Sequence, residues 1–468
     1  MKVNNDSIEK LLNEAQIYQK EKNYNRALRT LHQVLVHDPT NGKALLIASI
    51  LYRDIKKWSK AKKYAYTYIK FHRYSSLICE VLGDVNFFEG HYNKAVKWYK
   101  EALKEAQEAT IQKLREKILE TYELIRQKKC QTRLAIVVPE GSDNFTDDLV
   151  ERLSKRFWVR KFLIPSRVLA HYSIIYKLHA RSQSNIIKAL LKHFPMHLLR
   201  AALNWADITW IEWANAVAAL SSITKPKGKK LFIRLHRYEA FTEVPFHIDY
   251  RNVDGIIFVS KAMKNILESR GINLEGVSTK IVYNGIDLNK LKFKERTKGY
   301  NIGWAAYIIP RKNLHMALEI IRKLVSIDPN YKLHVAGIFK DPLYEIHIKH
   351  AIKQMKLENN VILYGWVDDI DQWWENKNYL LSTSIHEGHP YNIMEAMAKG
   401  IKPVIYNFYG AEELYEKRLL FNSVDEAVNL LMNDEYESYY YREYVKKKGW
   451  ILENQAKAFA DFIHSLIA

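Results

Sequence analysis

The chain has 468 residues, 48% of them hydrophobic and 12% aromatic, with only 17 glycines and 11 prolines. That composition excludes a disordered or collagen-like chain and supplies apolar side chains for about three packed domains. The two cysteines, Cys79 and Cys130, are too few and too far apart for a disulfide framework or a Cys-x-x-Cys zinc site. They fit a reducing compartment. The net charge is +20 and unevenly spread: residues 1–129 hold 25 Lys+Arg against 15 Asp+Glu, residues 130–290 hold 24 against 14, and residues 291–468 hold 23 of each. The whole excess lies in the first 290 residues, which suits an acidic partner surface: nucleic acid, anionic lipid or an acidic acceptor. No nucleic-acid-binding motif accompanies the charge. The start, Met-Lys-Val-Asn-Asn-Asp-Ser, lacks an apolar h-region. No stretch approaches about 18 uninterrupted apolar residues. The expected location is the cytoplasm, with peripheral contact at the inner face of the membrane.

Four columns recur at the front with a period of 34: Leu11, Leu45 and Cys79; Ala15, Ser49 and Gly83; Tyr24, Trp58 and Tyr92; Ala27, Ala61 and Ala95. Such a period marks stacked helix pairs. The small residue of each first helix is expected to admit the alanine of the second. The aromatic just before the second helix is expected to fill the gap between units. Asp38-Pro39 ends the first unit, because proline blocks further helix. Thr110–Lys129 reads as a capping helix, apolar at Ile111, Leu114, Ile118, Leu119, Tyr122 and Ile125. The pattern over 8–109 resembles the tetratricopeptide repeat, and three units with a cap is close to the smallest stable array. Such arrays bind a peptide or dimerise, so a protein partner through the repeats is expected. A purely structural appendage is the alternative.

From Arg133 the pattern changes to short apolar runs between helical stretches. Leu134–Val138, Asp207–Ile211, Lys230–Leu235, Gly255–Val259 and Lys280–Val282 read as strands, with a helix over about 146–156. After the turn Asn284-Gly-Ile-Asp287 the alternation restarts. Asn301–Trp304, Lys332–Val335, Val361–Tyr364, Tyr379–Leu381 and Pro403–Ile405 are strands, with a helix near Leu314–Leu324. Glu435–Ala468 is helical. Two doubly wound α/β halves follow from this, with ligands beyond the C-terminal strand ends and a cleft between the halves.

The run Ser382-Thr-Ser-Ile-His-Glu-Gly-His-Pro-Tyr-Asn-Ile-Met-Glu-Ala-Met-Ala-Lys-Gly400 reads as strand end, loop and helix. Pro390 suits a first helical turn and Gly400 a stop. Free N–H groups of the loop and first turn suit a phosphate. Glu387 lies in the loop and Glu395 one turn into the helix, so they can meet two parts of one extended ligand. His236, in Arg234-Leu-His-Arg-Tyr-Glu239, ends a strand where a cleft is expected. Gly141, after the first strand, can let backbone approach a diphosphate or acceptor.

Glu387 and Glu395, with seven residues between them, resemble the paired-glutamate motif of retaining GT-B glycosyltransferases. The wider run resembles glycosyltransferase family 4, also called glycosyl transferases group 1, over about 130–468. Asn284–Asp287, Arg311-Lys-Asn313, Gly365-Trp-Val-Asp368 and the final helix fall in the family's order. The resemblance implies an N-terminal tetratricopeptide array (1–129), a GT-B acceptor domain (130–288) and a GT-B donor domain (289–468) whose final helix crosses back to the first. It implies Glu387, Lys312 and His236 as catalytic residues. Gly141, Arg311, Gly388, His389, Pro390, Tyr391, Asn392 and Glu395 would bind the donor. Glu387 would hold sugar hydroxyls, Glu395 the ribose, backbone N–H groups of Gly388 to Tyr391 the diphosphate, and Lys312 the leaving charge. The co-substrate would be a nucleotide sugar such as a UDP-sugar, with no metal. Asp369-Ile-Asp371 has the spacing of a metal pair in another transferase class and reads here as a solvated loop.

Two positions depart from the family. The loop after the first strand, Glu140-Gly-Ser-Asp-Asn144, lacks paired glycines, and Tyr307 stands where an arginine is usual about five residues before the lysine. The implied activity is hexosyl or N-acetylhexosaminyl transfer with retention. The acceptor is a protein held by the repeats, or else a cell-surface polysaccharide or lipid-linked glycan. The alternative of another class is a catalytically weak scaffold acting through the repeats.

Overall fold

The structure, a computed structural model, describes residues 5–128, 131–141, 146–181, 196–433 and 435–468. Lys129, Cys130 and Ser142-Asp143-Asn144 of the first loop lie outside the described residues. The chain divides into two compact units. One is Met1–Ile233 with His247–Asp254 and Leu466–Ala468; the other is Arg234–Phe246 with Gly255–Ser465.

The first unit opens with seven helices: α1 (Asn5–Lys20), α2 (Tyr24–His37), α3 (Gly42–Asp54), α4 (Trp58–Phe71), α5 (Ser76–Phe88), α6 (Tyr92–Leu103) and α7 (Glu108–Lys128). Asn23, Asn41 and Ser75 start α2, α3 and α5 by accepting backbone N–H bonds on their side chains. The repeat columns are the core: Ala15, Ala27, Ser49, Ala61 and Ala95 are fully buried. Two details differ from the sequence expectation. Tyr24, Trp58 and Tyr92 are the first helical residues, because the residue before each takes the cap geometry. At Gly83, an added Cβ would lie 2.3 Å from the Tyr99 ring, so glycine there admits a tyrosine, not the alanine.

The array is joined to strand β2 (Trp158–Ile164), absent from the sequence expectations. The turn between α5 and α6 supplies the join. Lys161 N–H donates to Glu89 O (2.9 Å), His91 Nε2 meets Lys161 O (2.8 Å), and Arg160 Nε donates to Gly90 O (3.2 Å). Gly90 has φ +74°, and a Cβ on it would lie 1.6 Å from Val159 O. Only glycine fits this approach. The two charges in β2 hid it from a search for apolar runs. Lys161 is buried and paired with Asp147, and Arg160 lies 4.3 Å from the Trp205 ring centre.

Strand β1 (Arg133–Pro139) pairs in parallel with β2 and with β3 (Ile208–Glu212). The first sheet runs β2-β1-β3-β4-β5-β6, with β4 Lys230–Leu235, β5 Gly255–Phe258 and β6 Ser278–Ile281. The helix expected over 146–156 is shorter, Asp147–Leu153.

The second sheet lies within the second unit. It comprises β7 (Asn301–Ala305), β8 (Lys332–Ala336), β9 (Val361–Gly365), β10 (Tyr379–Ser382), β11 (Lys402–Tyr406) and the two-residue β12 (Leu420–Phe421), which apolar patterning missed. All are parallel, in the order β12-β11-β10-β7-β8-β9. Strand order reverses between β7 and β10, and in open α/β sheets ligands bind outside the C-terminal ends at such a switch. The C-terminal segment forms two helices, Ser438–Lys447 and Leu452–Ile467. No helix among the described residues is long and apolar enough to cross a membrane.

Candidate functional site

The two strands at the switch carry the two best candidates. After β7 the chain forms a single tight turn, Pro310–Lys312. Asn313 then adopts the left-handed conformation (φ 52°, ψ 51°) and caps the helix Leu314–Ile327 through its side chain. After β10 comes the loop to Pro390. Backbone and side-chain bonds fasten these segments together. Ile385 N–H donates to Arg311 O (3.0 Å), and Thr383 Oγ1 donates to Lys312 O (2.9 Å) while accepting from Trp304 Nε1 (3.0 Å). Lys312 Nζ donates to Glu387 Oε1, and Arg311 Nη1 stands 3.6 Å from the same oxygen. Arg311 therefore reaches the site despite directly preceding Lys312.

A third segment closes on the loop. His236 is the N-cap of the short helix Arg237–Ala240, in a capping box where the Glu239 carboxylate accepts from the His236 N–H (3.1 Å). Arg237 Nη1 donates to His386 Nδ1 at 3.0 Å. Phe241 flanks the His386 ring, with centroids 4.8 Å apart. A Cβ on Gly388 would lie 3.0 Å from Val259 Cγ2 and 3.3 Å from Arg237 Cβ. Glycine is what lets the loop pack this closely.

Burial works against the Glu387 charge. Lys312, then Arg311 and a bond from Ser384, nonetheless hold its carboxyl below the ordinary carboxylate value. Burial pulls Lys312 down against the opposing pull of Glu387, with Arg311 and Arg237 adding to the fall. Burial, then Arg237 and Arg311, also lower His386 and keep it neutral. Three cations thus act on Glu387, and Arg237 is within electrostatic range of Glu239 as well. The surplus is positive, as an anionic group such as a diphosphate requires.

The remaining candidates divide. His389 is buried: its Nδ1 accepts from Asn284 N–H (2.9 Å), its carbonyl accepts from Asn284 Nδ2 (2.7 Å), and its Nε2 meets no partner among the described residues. Burial, then Arg234, drives its pKa to about 3, so the ring stays neutral. Pro390 is the N-cap of the helix Tyr391–Ala398, with ψ 127°, and is not in its first turn as expected. A proline has no N–H, so it cannot donate to a phosphate. Asn392 Nδ2 donates to Ala305 O (3.0 Å), fixing the helix start to the end of β7. Tyr391 and Glu395 are half-buried on that helix. Gly141 belongs to the first unit, in the turn after β1, with φ +83°. Tyr307 turns to Trp366 (5.9 Å, stacked) with Lys340 Nζ 4.9 Å from its ring centre. Asp369 caps a short helix and Asp371 pairs with Lys399 (2.7 Å). Sequence reasoning missed Arg237 and His386. The available signal was a second arginine beside His236 and a histidine beside Glu387.

Residues 287–448 match the family glycosyl transferases group 1, and residues 78–108 match the tetratricopeptide repeat. A poly(glycerol-phosphate) alpha-glucosyltransferase of Bacillus subtilis (strain 168) is 36% identical over 116 residues, which is 24% of this chain and 17% of that protein. A poly(ribitol-phosphate) alpha-N-acetylglucosaminyltransferase of Staphylococcus aureus (strain COL) is 23% identical over 193 residues, 39% of this chain and 38% of that protein. The chain spans less than half the length of these curated relatives. Among solved structures, Anabaena HepE in complex with UDP and glucose shares the fold with a TM-score of 0.56 at 16% identity, over 71% of this chain and 100% of that one.

Proposed function

We propose that this chain, which has the GT-B fold behind a tetratricopeptide array and carries a glycosyl transferases group 1 region over 287–448, moves a sugar from a nucleotide-sugar donor to an acceptor hydroxyl. One observation carries the reading: a buried Glu387 carboxylate, held ionised by Lys312 and Arg311 at the switch between β7 and β10.

In this reading the diphosphate sits among the cations. Lys312 and Arg311 attract charge as it develops on the departing phosphate, an interaction strongest in the transition state. Glu387 receives hydrogen bonds from the sugar hydroxyls, and Glu395 from the ribose. Transfer proceeds with retention. The acceptor oxygen forms its bond to the anomeric carbon on the face from which the diphosphate leaves. The carbon–oxygen bond to phosphate breaks, and the acceptor proton passes to the departing phosphate oxygen. His236 stands at the end of β4, on the segment that carries Arg237, and offers a polar group to the sugar or phosphate. Side-chain cations supply the charge stabilisation, so the reaction proceeds without a metal.

The names of the two curated relatives, with the positive excess of residues 1–290, support a polyol-phosphate polymer as acceptor. They favour it over the protein acceptor that the repeats alone suggest. The test incubates the chain with nucleotide sugars in EDTA. Poly(glycerol phosphate), poly(ribitol phosphate) or a peptide library is offered, and the anomeric proton coupling of the product is read by NMR. An α-linked sugar on a polyol phosphate is the expected product from an α-configured donor. A β-linked product contradicts retention, and transfer to peptide alone restores the protein acceptor.

A further inference from the structure

We propose that Arg237 binds the leaving diphosphate together with Arg311 and Lys312, and that His386 is the positioning residue that aims its guanidinium. The proposal rests on the donor-site reading above and deepens it.

Arg237 is the first residue of the helix Arg237–Ala240, and its side chain reaches the loop between β10 and Pro390. Its bond there, Nη1 to His386 Nδ1 at 3.0 Å, goes to a ring that must be neutral to accept it. A structural arginine is more commonly seated against a carboxylate, which cancels its charge. An imidazole acceptor fixes the direction of the guanidinium and leaves the charge intact. The nearby carboxylates are occupied. Glu387 is held by Lys312 and Arg311, and Glu239 accepts from the His236 N–H. Burial first, and then Arg311, depress the Arg237 pKa against the opposing pull of Glu387 and Glu239.

Three cations against two carboxylates leave a positive surplus that suits a multivalent anion. The surroundings preserve it. Phe241 packs on the His386 ring, and Gly388 lets the loop close on Arg237 without a Cβ in the way. The remaining donors of a planar guanidinium fit a phosphate in two-pronged fashion, which the point charge of a lysine does not.

Calorimetric titration of the full chain tests this, using UDP, GDP, ADP, CDP and dTDP. The diphosphate that binds is then compared with its own nucleoside. Arg237→Ala is expected to weaken diphosphate binding by about tenfold or more while leaving nucleoside binding unchanged. His386→Leu is expected to weaken the diphosphate by about three- to tenfold. His386→Asn, whose Oδ1 replaces Nδ1 as acceptor, is expected to restore it. Arg237→Lys keeps a charge without the fork and is expected to fall between wild type and Arg237→Ala. Unchanged diphosphate affinity in Arg237→Ala overturns the proposal and spares the donor-site reading. Equal loss of diphosphate and nucleoside binding overturns it in favour of a structural arginine. Failure of His386→Asn to recover what His386→Leu loses overturns the aiming role. Wild-type chain that binds none of the five overturns the proposal and the donor-site reading together.

Discussion

Glu387 is the carboxylate on which the candidate site converges, with Lys312 and Arg311 both at its Oε1. Replacing it with glutamine removes the charge but keeps the shape. We expect transfer to fall by about 10²–10³-fold in Glu387→Gln, read as nucleoside diphosphate released per minute. The pH dependence has a fixed sign. The folded-state pKa of Glu387 is depressed, so its stabilisation is present above the ordinary value of 4.5 and is lost as pH falls through the folded value. Thermal melts of wild type and Glu387→Gln should therefore converge in acid and separate toward neutral pH. Gly388→Ala tests the packing of the same loop. The new Cβ meets Val259 and Arg237 at 3.0 and 3.3 Å, and activity should drop with a change in melting temperature of only a few degrees. Glu387, Lys312 and Arg311 were legible in the sequence because their spacing and neighbours form recognisable runs. Arg237 was not. Its partner His386 lies 149 residues away, and only the fold shows which charges share one space. His389 sits inside the motif, and only the fold shows that its ring accepts from the Asn284 N–H.

At the scale of elements, the join between array and sheet has more at stake than its short span suggests. Gly90 combines a left-handed φ with a backbone contact that no side chain tolerates. Gly90→Ala should cost about 2–4 kcal/mol in denaturant unfolding. His91, in the same turn, is buried, and burial pulls its pKa from 6.5 to about 4. The unfolded chain takes up a proton that the folded chain refuses. Stability at this site is therefore full above about pH 6.5 and falls as pH drops toward 4. A His91→Gln variant should show a shallower loss over that window. Strands that are plain apolar runs, such as β1, β4 and β10, were read from sequence nearly to the residue. β2 was not, because Arg160 and Lys161 interrupt its run. Their charges are absorbed by tryptophan rings and Asp147, contacts that exist only after folding.

For the whole molecule, the array and the strands β1 to β3 belong to one compact unit. Removing residues 1–128 would bare the edge of β2, whose Trp158 and Val159 now face the array. Such an edge invites pairing with other chains, so the truncated protein is expected to aggregate in size-exclusion chromatography. The charge distribution makes a second prediction at this scale. If residues 1–290 attract an anionic polymer, the KM for that acceptor should rise steeply with added salt, while the KM for the donor, held in a buried site, should change much less.

The most direct test of the donor site is nucleoside diphosphate release, followed by liquid chromatography. Wild type, Glu387→Gln and Lys312→Ala would each be mixed with the common nucleotide sugars in the presence of EDTA. Release from one donor by wild type, lost in both variants, is the predicted result. Release that survives in both variants would contradict the assignment of Glu387 and Lys312 as the centre of the reaction.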